Sequence, residues 1–365
     1  METGITGTEG IHEKVVPDIG KQDVTEIIAM PLIDAHVMRS DILSYINGAL
    51  TKSVVITPGK ASYDEAQIIA NMVFHFTNDF HVLSGKYKNF SVDASIGSIF
   101  VHQRPYVKIT KSPCNIGKSI EIGDLLLFKH RTQGSPVWKR SSLLLQAKRT
   151  NSLHDTPGNL DQHCLYVCWP EFEYVNRKDF PIPARKVTGP LLSKGSKYLY
   201  IQSQNRLFGG LPWCCGTCLH CSRNCSTATL EATPINSVNP NGLMNPRCFV
   251  SDLYDFMFGN AGRPFFYGHK GIGWSRVMTD LIDVTAKNIV NKMKIAGATN
   301  GARGQGVLSF CVGTPILTRL KPRQLTWCCG AYNADSPPEV PGFDEYDEEE
   351  KGISIIEFKF IETEN

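Results

Sequence analysis

No stretch of this 365-residue chain approaches the roughly 18 consecutive apolar residues that a membrane-spanning helix requires. The opening METGITGTEGIHEKVV has no apolar segment leading to a small-residue cleavage site, so it does not read as a secretory signal, and the expected location is cytoplasmic. Neither sign of charge dominates: 38 Lys and Arg stand against 35 Asp and Glu. With 42% apolar and 20% charged residues, wholesale disorder and fibrous repeats are both excluded. Walker loops, nucleophile elbows and dinucleotide fingerprints are missing. GNAGRPFFYGHKGIG is glycine-rich but lacks the Lys-Ser/Thr ending of a phosphate loop, and reads as an irregular loop with Arg263, His269 and Lys270 available to DNA. Two copies of Trp-Cys-Cys-Gly, at Trp213 and Trp327, are too short to make a repeat architecture.

The net charge of +3 is a cancellation. From Asp335 onward there are 11 acidic and 2 basic residues, so the rest of the chain carries +12. Within it, residues 101–150 hold ten Lys and Arg against only Glu121 and Asp124. Such a segment suits either a polyanion partner or a solvated basic face.

At roughly 150 residues per domain, the length allows two or three packed units. Four segments are expected: an arm and helix over residues 1–60, a core over 61–205, a cysteine-rich loop and helical region over 206–334, and an acidic linker with a terminal strand over 335–365. Helical spacing predicts a helix over Ile33–Leu50 that stops at Gly48. A second is marked by Ser62, by Glu65 three residues later as in a capping box, and by the stripe Ala66, Ile69, Ala70, Val73, Phe74. Three strand-like runs follow: SIFVHQRPYVKIT, SIEIGDLLLFKH and SSLLLQAKRT. A helix over 159–174, the strand SKYLYIQSQ, helices at CFVSDLYDFMFG and WSRVMTDLIDVTAKNIVNKMKIAG, and the strand ISIIEFKFIE complete the reading.

Polar residues on these elements carry the chemistry. Asp124 opens one apolar strand, and Gln146 and Lys148 end the next, two apart. Strand side chains alternate, so Gln146 and Lys148 share a face while Ala147 turns away. If the two strands are hairpin neighbours, Asp124 reaches that face. A carboxylate and an amide oxygen suit Mg²⁺, or Mn²⁺, which prefers hard oxygen ligands. Lys148 beside such an ion can orient or deprotonate a water and stabilise charge growing on a phosphate.

GDLLL (Gly123 to Leu127) and LLLQAK (Leu143 to Lys148), with 21 residues between Asp124 and Gln146, together resemble the PD-(D/E)xK, or restriction-endonuclease-like, nucleases. Gln146 replaces the usual acid, which is similar to the Asp…Gln-x-Lys form of Mrr-like enzymes and leaves the site one negative charge short. The resemblance spans about Ser62 to Gln204. It implies an α/β (α+β) fold with a restriction-endonuclease-like core, a mixed sheet flanked by helices, to which the cysteine-rich loop and a C-terminal region are added. It also implies a Glu on the first helix, for which Glu65 is best placed; Glu65 is otherwise only the capping acid. Gln162 and Tyr166, an i,i+4 pair, resemble the Gln-x-x-x-Tyr that follows the catalytic Lys in RecB-type nucleases and lies near DNA. His102 and Arg104 would meet phosphates or are ordinary surface residues beside Pro105, and Arg149 is a further nucleic-acid-binding candidate.

Five of the 12 cysteines fall between Trp213 and Cys225, with Cys215, Cys218, Cys221 and Cys225 spaced C-x2-C-x2-C-x3-C. In a cytosolic chain such clustering points to metal rather than disulfides. Structural zinc, an iron-sulfur cluster and no metal all stay open, since the spacing also resembles a ferredoxin run. Cys114, Cys164, Cys168 and Cys311 read as small core or surface residues.

The expected function is therefore Mg²⁺-dependent endonucleolytic cleavage of DNA, in restriction or antiphage defence. DNA phosphates are the partner, membranes are not, and self-association or a second defence protein is compatible. The alternative is a catalytically silent nucleic-acid-binding or assembly protein on the same fold, with the cysteine loop as a metal knuckle. The acidic tail is either a linker or a DNA mimic seated in the basic groove.

Overall fold

The computed structural model describes residues 32–54, 65–80, 92–101, 105–111, 114, 117–133, 139–175, 180, 184–189, 192–202, 226–237, 240–268, 273–295, 309–313 and 352–362. Arg39–Asn365 forms one compact unit, and Met1–Met38 another.

Helix α1 (Leu32–Val54) runs past Gly48, because Ala49, Leu50 and Ser53 beyond it are buried and that burial outweighs the cost of about 1 kcal/mol of a helical glycine. Helix α2 (Glu65–Asp79) buries the expected stripe and packs on α1: Asn71 Nδ2 donates to Ser53 O at 3.1 Å, and Tyr45 stacks edge-on against Phe76. Strands β1 (Val92–Val101), β4 (Leu125–Gln133), β5 (Lys139–Thr150), β7 (Ser196–Gln202), β8 (Thr227–Ala232), β9 (Leu243–Cys248), β11 (Ser309–Gly313) and β12 (Ser354–Glu362) form a sheet in the order β11-β1-β12-β4-β5-β7-β8-β9, with the short β10 (Arg263–Pro264) pairing β5. Strands β2 (Tyr106–Ile109), β3 (Ser119–Glu121) and β6 (Phe172–Tyr174) form a second, three-stranded sheet.

The first two strand-like runs therefore each break in two. SIFVHQRPYVKIT leaves the large sheet after Val101 and enters the small one at Tyr106, and Pro105 cannot donate to a ladder at the crossing. SIEIGDLLLFKH makes the reverse passage through Ile122, Gly123 and Asp124. The predicted helix over 159–174 is shorter, α3 (Leu160–Cys168). Asn159 Oδ1 accepts from the amides of Asp161 and Gln162 at its start, and Trp169 caps its end at φ 43° ahead of Pro170, which cannot continue a helix. Helices α4 (Leu192–Gly195), α5 (Phe249–Phe258) and α6 (Trp274–Ile295) complete the set.

Register assigns the layers. β4 and β5 are antiparallel, with Leu125 opposite Leu145, and β5 and β7 are parallel, with Gln146 opposite Tyr198 and Lys148 opposite Tyr200. Ser142, Gln146, Ser196 and Tyr198 share a face, and there Trp274 of α6 donates to Ser142 Oγ at 2.8 Å while Trp169, after α3, donates to Ser196 Oγ at 3.1 Å. The opposite face carries α5, through the ion pair of Lys197 with Asp252 at 2.9 Å, and α2, through Ser98 Oγ donating to Val73 O at 2.8 Å. The result is a mixed α/β sandwich with a central sheet flanked by helices on both faces. The terminal strand is not peripheral: β12 lies between β1 and β4, antiparallel to one and parallel to the other. Its residues Ile355, Ile356 and Phe358 are buried, as expected of a central strand covered on both faces.

Candidate functional site

Asp124 and Gln146 meet where β4 begins and β5 ends. Asp124 N donates to Leu145 O at 2.9 Å, which turns the carboxylate toward β5. Its Oδ2 accepts from Ala147 N at 2.7 Å and from Gln146 Nε2. The other end of that amide, Gln146 Oε1, accepts from Gln162 Nε2 on α3, and Gln162 Nε2 also donates to Glu121 O at 3.0 Å. One hydrogen-bonded chain thus runs from Asp124 through Gln146 to Gln162. Gln146 is fully buried, and Asp124 and Gln162 nearly so.

Gly123 makes the approach possible. A Cβ there would stand 2.8 Å from Leu144 Cδ1 and 3.0 Å from the Tyr166 hydroxyl. That hydroxyl donates to Ile122 O at 3.0 Å. Burial, then Tyr198, Asp124 and Glu121, hold the Tyr166 phenol well above its ordinary range, so it is a neutral donor. Gln162 and Tyr166 therefore grip the Glu121–Asp124 segment from one helical face, as their i,i+4 spacing allows.

Lys148 lies on the same face of β5 as Gln146, two residues further along, and is partly exposed. Among the described residues its side chain makes no hydrogen bond or ion pair. Glu65 opens α2 and its Oε1 accepts from Arg149 N at 2.8 Å, so a helix from the opposite layer reaches the same sheet end. Arg149 is half-buried there. His102, Arg104, Cys215, Cys218, Cys221, Cys225, His269, Lys270 and the acidic run DEYDEEE lie outside the described residues.

Among the described residues, the basic segment does not form one cationic face. Lys129 is buried, donates to Gly259 O at 2.7 Å, and is held down at a pKa of about 7 by desolvation and then by Arg131. Lys111 pairs with Glu171 and Lys118 with Asp161. The sequence also hides a second polar cluster beyond the site, in which His130 Nε2 lies 3.0 Å from Glu357 Oε1 and Arg140 Nε donates to His130 Nδ1 at 3.2 Å.

One expectation for the cysteines is overturned. Cys114 and Cys164, read as small core or surface residues, form a disulfide. A separation of 50 residues carries no local signal for such a pair.

An aspartate oxygen and a glutamine carbonyl are the hard donors that a Mg²⁺-sized ion takes, so the residue types fit. To present its oxygen toward Asp124, the Gln146 amide must turn over, and Gln162 must then offer its own oxygen to the amide NH₂. No protein-family model, curated protein or solved structure matches this chain. Among the described residues, no helix is long and apolar enough to cross a membrane.

Proposed function

We propose that the chain is a metal-dependent nuclease that hydrolyses DNA phosphodiester bonds. The observation that carries this reading is the meeting of Asp124, Gln146 and Gln162 in one buried chain at the sheet end that also bears Lys148 and Glu65. These residues lie up to 97 positions apart, and nothing local to the sequence forces them together.

Asp124 and Gln146 would hold Mg²⁺ or Mn²⁺, which supplies Lewis-acid polarisation of a phosphate oxygen and a more acidic water. Lys148, uncommitted among the described residues, would orient that water or take its proton and stabilise negative charge on the phosphate. Gln162 positions Gln146, and Tyr166 positions the backbone leading to Asp124. Glu65 holds the end of β5 through the Arg149 amide. Arg149 and exposed Lys108 would meet flanking phosphates. A role in restriction or antiphage defence follows from the family resemblance, and zinc or an iron-sulfur cluster at Cys215 to Cys225 follows from the cysteine spacing alone.

Purified protein incubated with plasmid DNA and Mg²⁺ or Mn²⁺ is expected to nick it, and Lys148→Ala to abolish the nicking. Equal cutting by that variant would sink the assignment.

One observation favours the second reading, a silent nucleic-acid-binding or assembly module: Gln146 is fully buried and both ends of its amide are already bonded. Such a protein binds DNA with a salt-dependent affinity yet gives no Mg²⁺ heat that Asp124→Ala removes.

A further inference from the structure

We propose that Cys114, Cys164 and Cys168 form a three-thiolate site for a thiophilic divalent cation, zinc first, when the Cys114–Cys164 disulfide is reduced. This site is separate from the Asp124 cluster and from the cysteine run at Cys215, and it does not depend on the nuclease reading.

The three sulfurs lie within 4.8 Å of one another. Zinc–sulfur bonds of about 2.3 Å set tetrahedral thiolates just under about 4 Å apart, so on reduction Cys114 and Cys164 part while Cys168 closes by about 1 Å at most. Cys164 and Cys168 are four apart on α3 and project from one helical face, the spacing that lets a single helix supply two ligands. Cys114 comes from the β2–β3 connection. Cys164 and Cys168 are partly exposed, which leaves a fourth position to water.

The gathering does not depend on the disulfide. The β2–β3 connection is fastened to α3 on both sides of Cys114: Lys118 pairs with Asp161 at 3.0 Å in the first turn, and Lys111 pairs with Glu171 at 2.8 Å just past the last. Thr110 N also donates to Glu171 O at 2.9 Å, and Ile109 lies opposite Phe172 in the β2–β6 ladder. Exposed ion pairs contribute little singly, but the ladder bonds keep the loop in register when the sulfurs part. Cys168 is the third thiol, and it is free of the disulfide.

The chemistry balances with a dithiol reductant. It delivers two electrons and two protons to the Cys114–Cys164 bond, becoming a disulfide itself, and the cation then displaces three thiol protons. The same helix presents Gln162 to Gln146, so disulfide and cation are alternative clamps on one element of the Asp124 site.

The test uses the full chain, reduced and kept anaerobic, with zinc alone as probe. Chelator competition is expected to find one more zinc equivalent in the wild type than in Cys168→Ser, which keeps both disulfide partners. Peptide mapping after alkylation is expected to show zinc slowing modification of Cys114, Cys164 and Cys168 together by at least about tenfold. Equal stoichiometry in the two proteins overturns the site. Should the variant fail to fold, zinc-insensitive alkylation of these three thiols in the wild type overturns it equally.

Discussion

Gln146 donates its amide hydrogen to the carboxylate of Asp124 from the adjacent strand, and both groups are buried. An amide is the one uncharged side chain that can satisfy a carboxylate here and also expose a carbonyl to a cation after a half-turn. A glutamate at 146 could do only the second.

Gln146→Glu therefore separates the two functional readings. Two buried carboxylates in contact repel, so the variant without metal is expected to lose about 2 kcal/mol or more in urea denaturation. Mg²⁺ is expected to restore much of that loss and to bind at least about tenfold more tightly than in wild type, since a ligand bound only by the folded state stabilises it. Unfolding midpoints that ignore Mg²⁺ in both proteins would rule out the metal site.

Gly123→Ala is expected to cost about 1–3 kcal/mol, because the added methyl strikes Leu144 and the Tyr166 hydroxyl in a packed interior. The backbone leading to Asp124 must move, so any Mg²⁺ binding should weaken in parallel. An alanine variant with wild-type stability would mean that the Gly123 segment is not held as described.

Lys129 makes stability depend on pH. A free lysine titrates near 10.5, whereas desolvation lowers Lys129 to about 7. Between those values the unfolded chain carries a proton that the folded chain lacks, so stability rises with pH through that window and is lowest, and flat in this group, below about pH 7. Lys129→Met is expected to gain on the order of a few kcal/mol near neutrality, less the lost bond to Gly259 O, with the gain shrinking toward zero as the pH nears 10.5. Urea titrations at the two ends of the window measure it. A pH-independent difference between the two proteins would contradict the assignment.

The Cys114–Cys164 bond closes a loop with a separation of 50 residues. Chain-entropy arguments give such a cross-link up to about 4 kcal/mol. Cys114→Ala under oxidising conditions is expected to lose most of that, and the same substitution under reducing conditions far less. Equal losses in the two conditions would indicate that the cysteine acts only by filling space.

Local rules reached a good part of this architecture. The stripe on α2, the apolar runs of β4, β5 and β7, and the turn before α3 are written in spacing, as is the shared face of Gln146 and Lys148. Where the reading failed locally, a competing local signal was present. Pro105 splits the first strand run and Pro170 ends α3, while burial of Ala49 and Leu50 carries α1 past Gly48.

What only the tertiary structure decided is non-local. The insertion of β12 between β1 and β4 joins residues more than 200 positions apart, and no periodicity encodes which strand a buried apolar run will choose. Lys129 looks like part of a basic face until α5 covers it. The sequence by itself determined which side chains share a face, because alternation along a strand and spacing along a helix are backbone geometry. Tertiary packing determined which faces meet, because register and layer order follow from how a buried sheet excludes water and satisfies its polar groups.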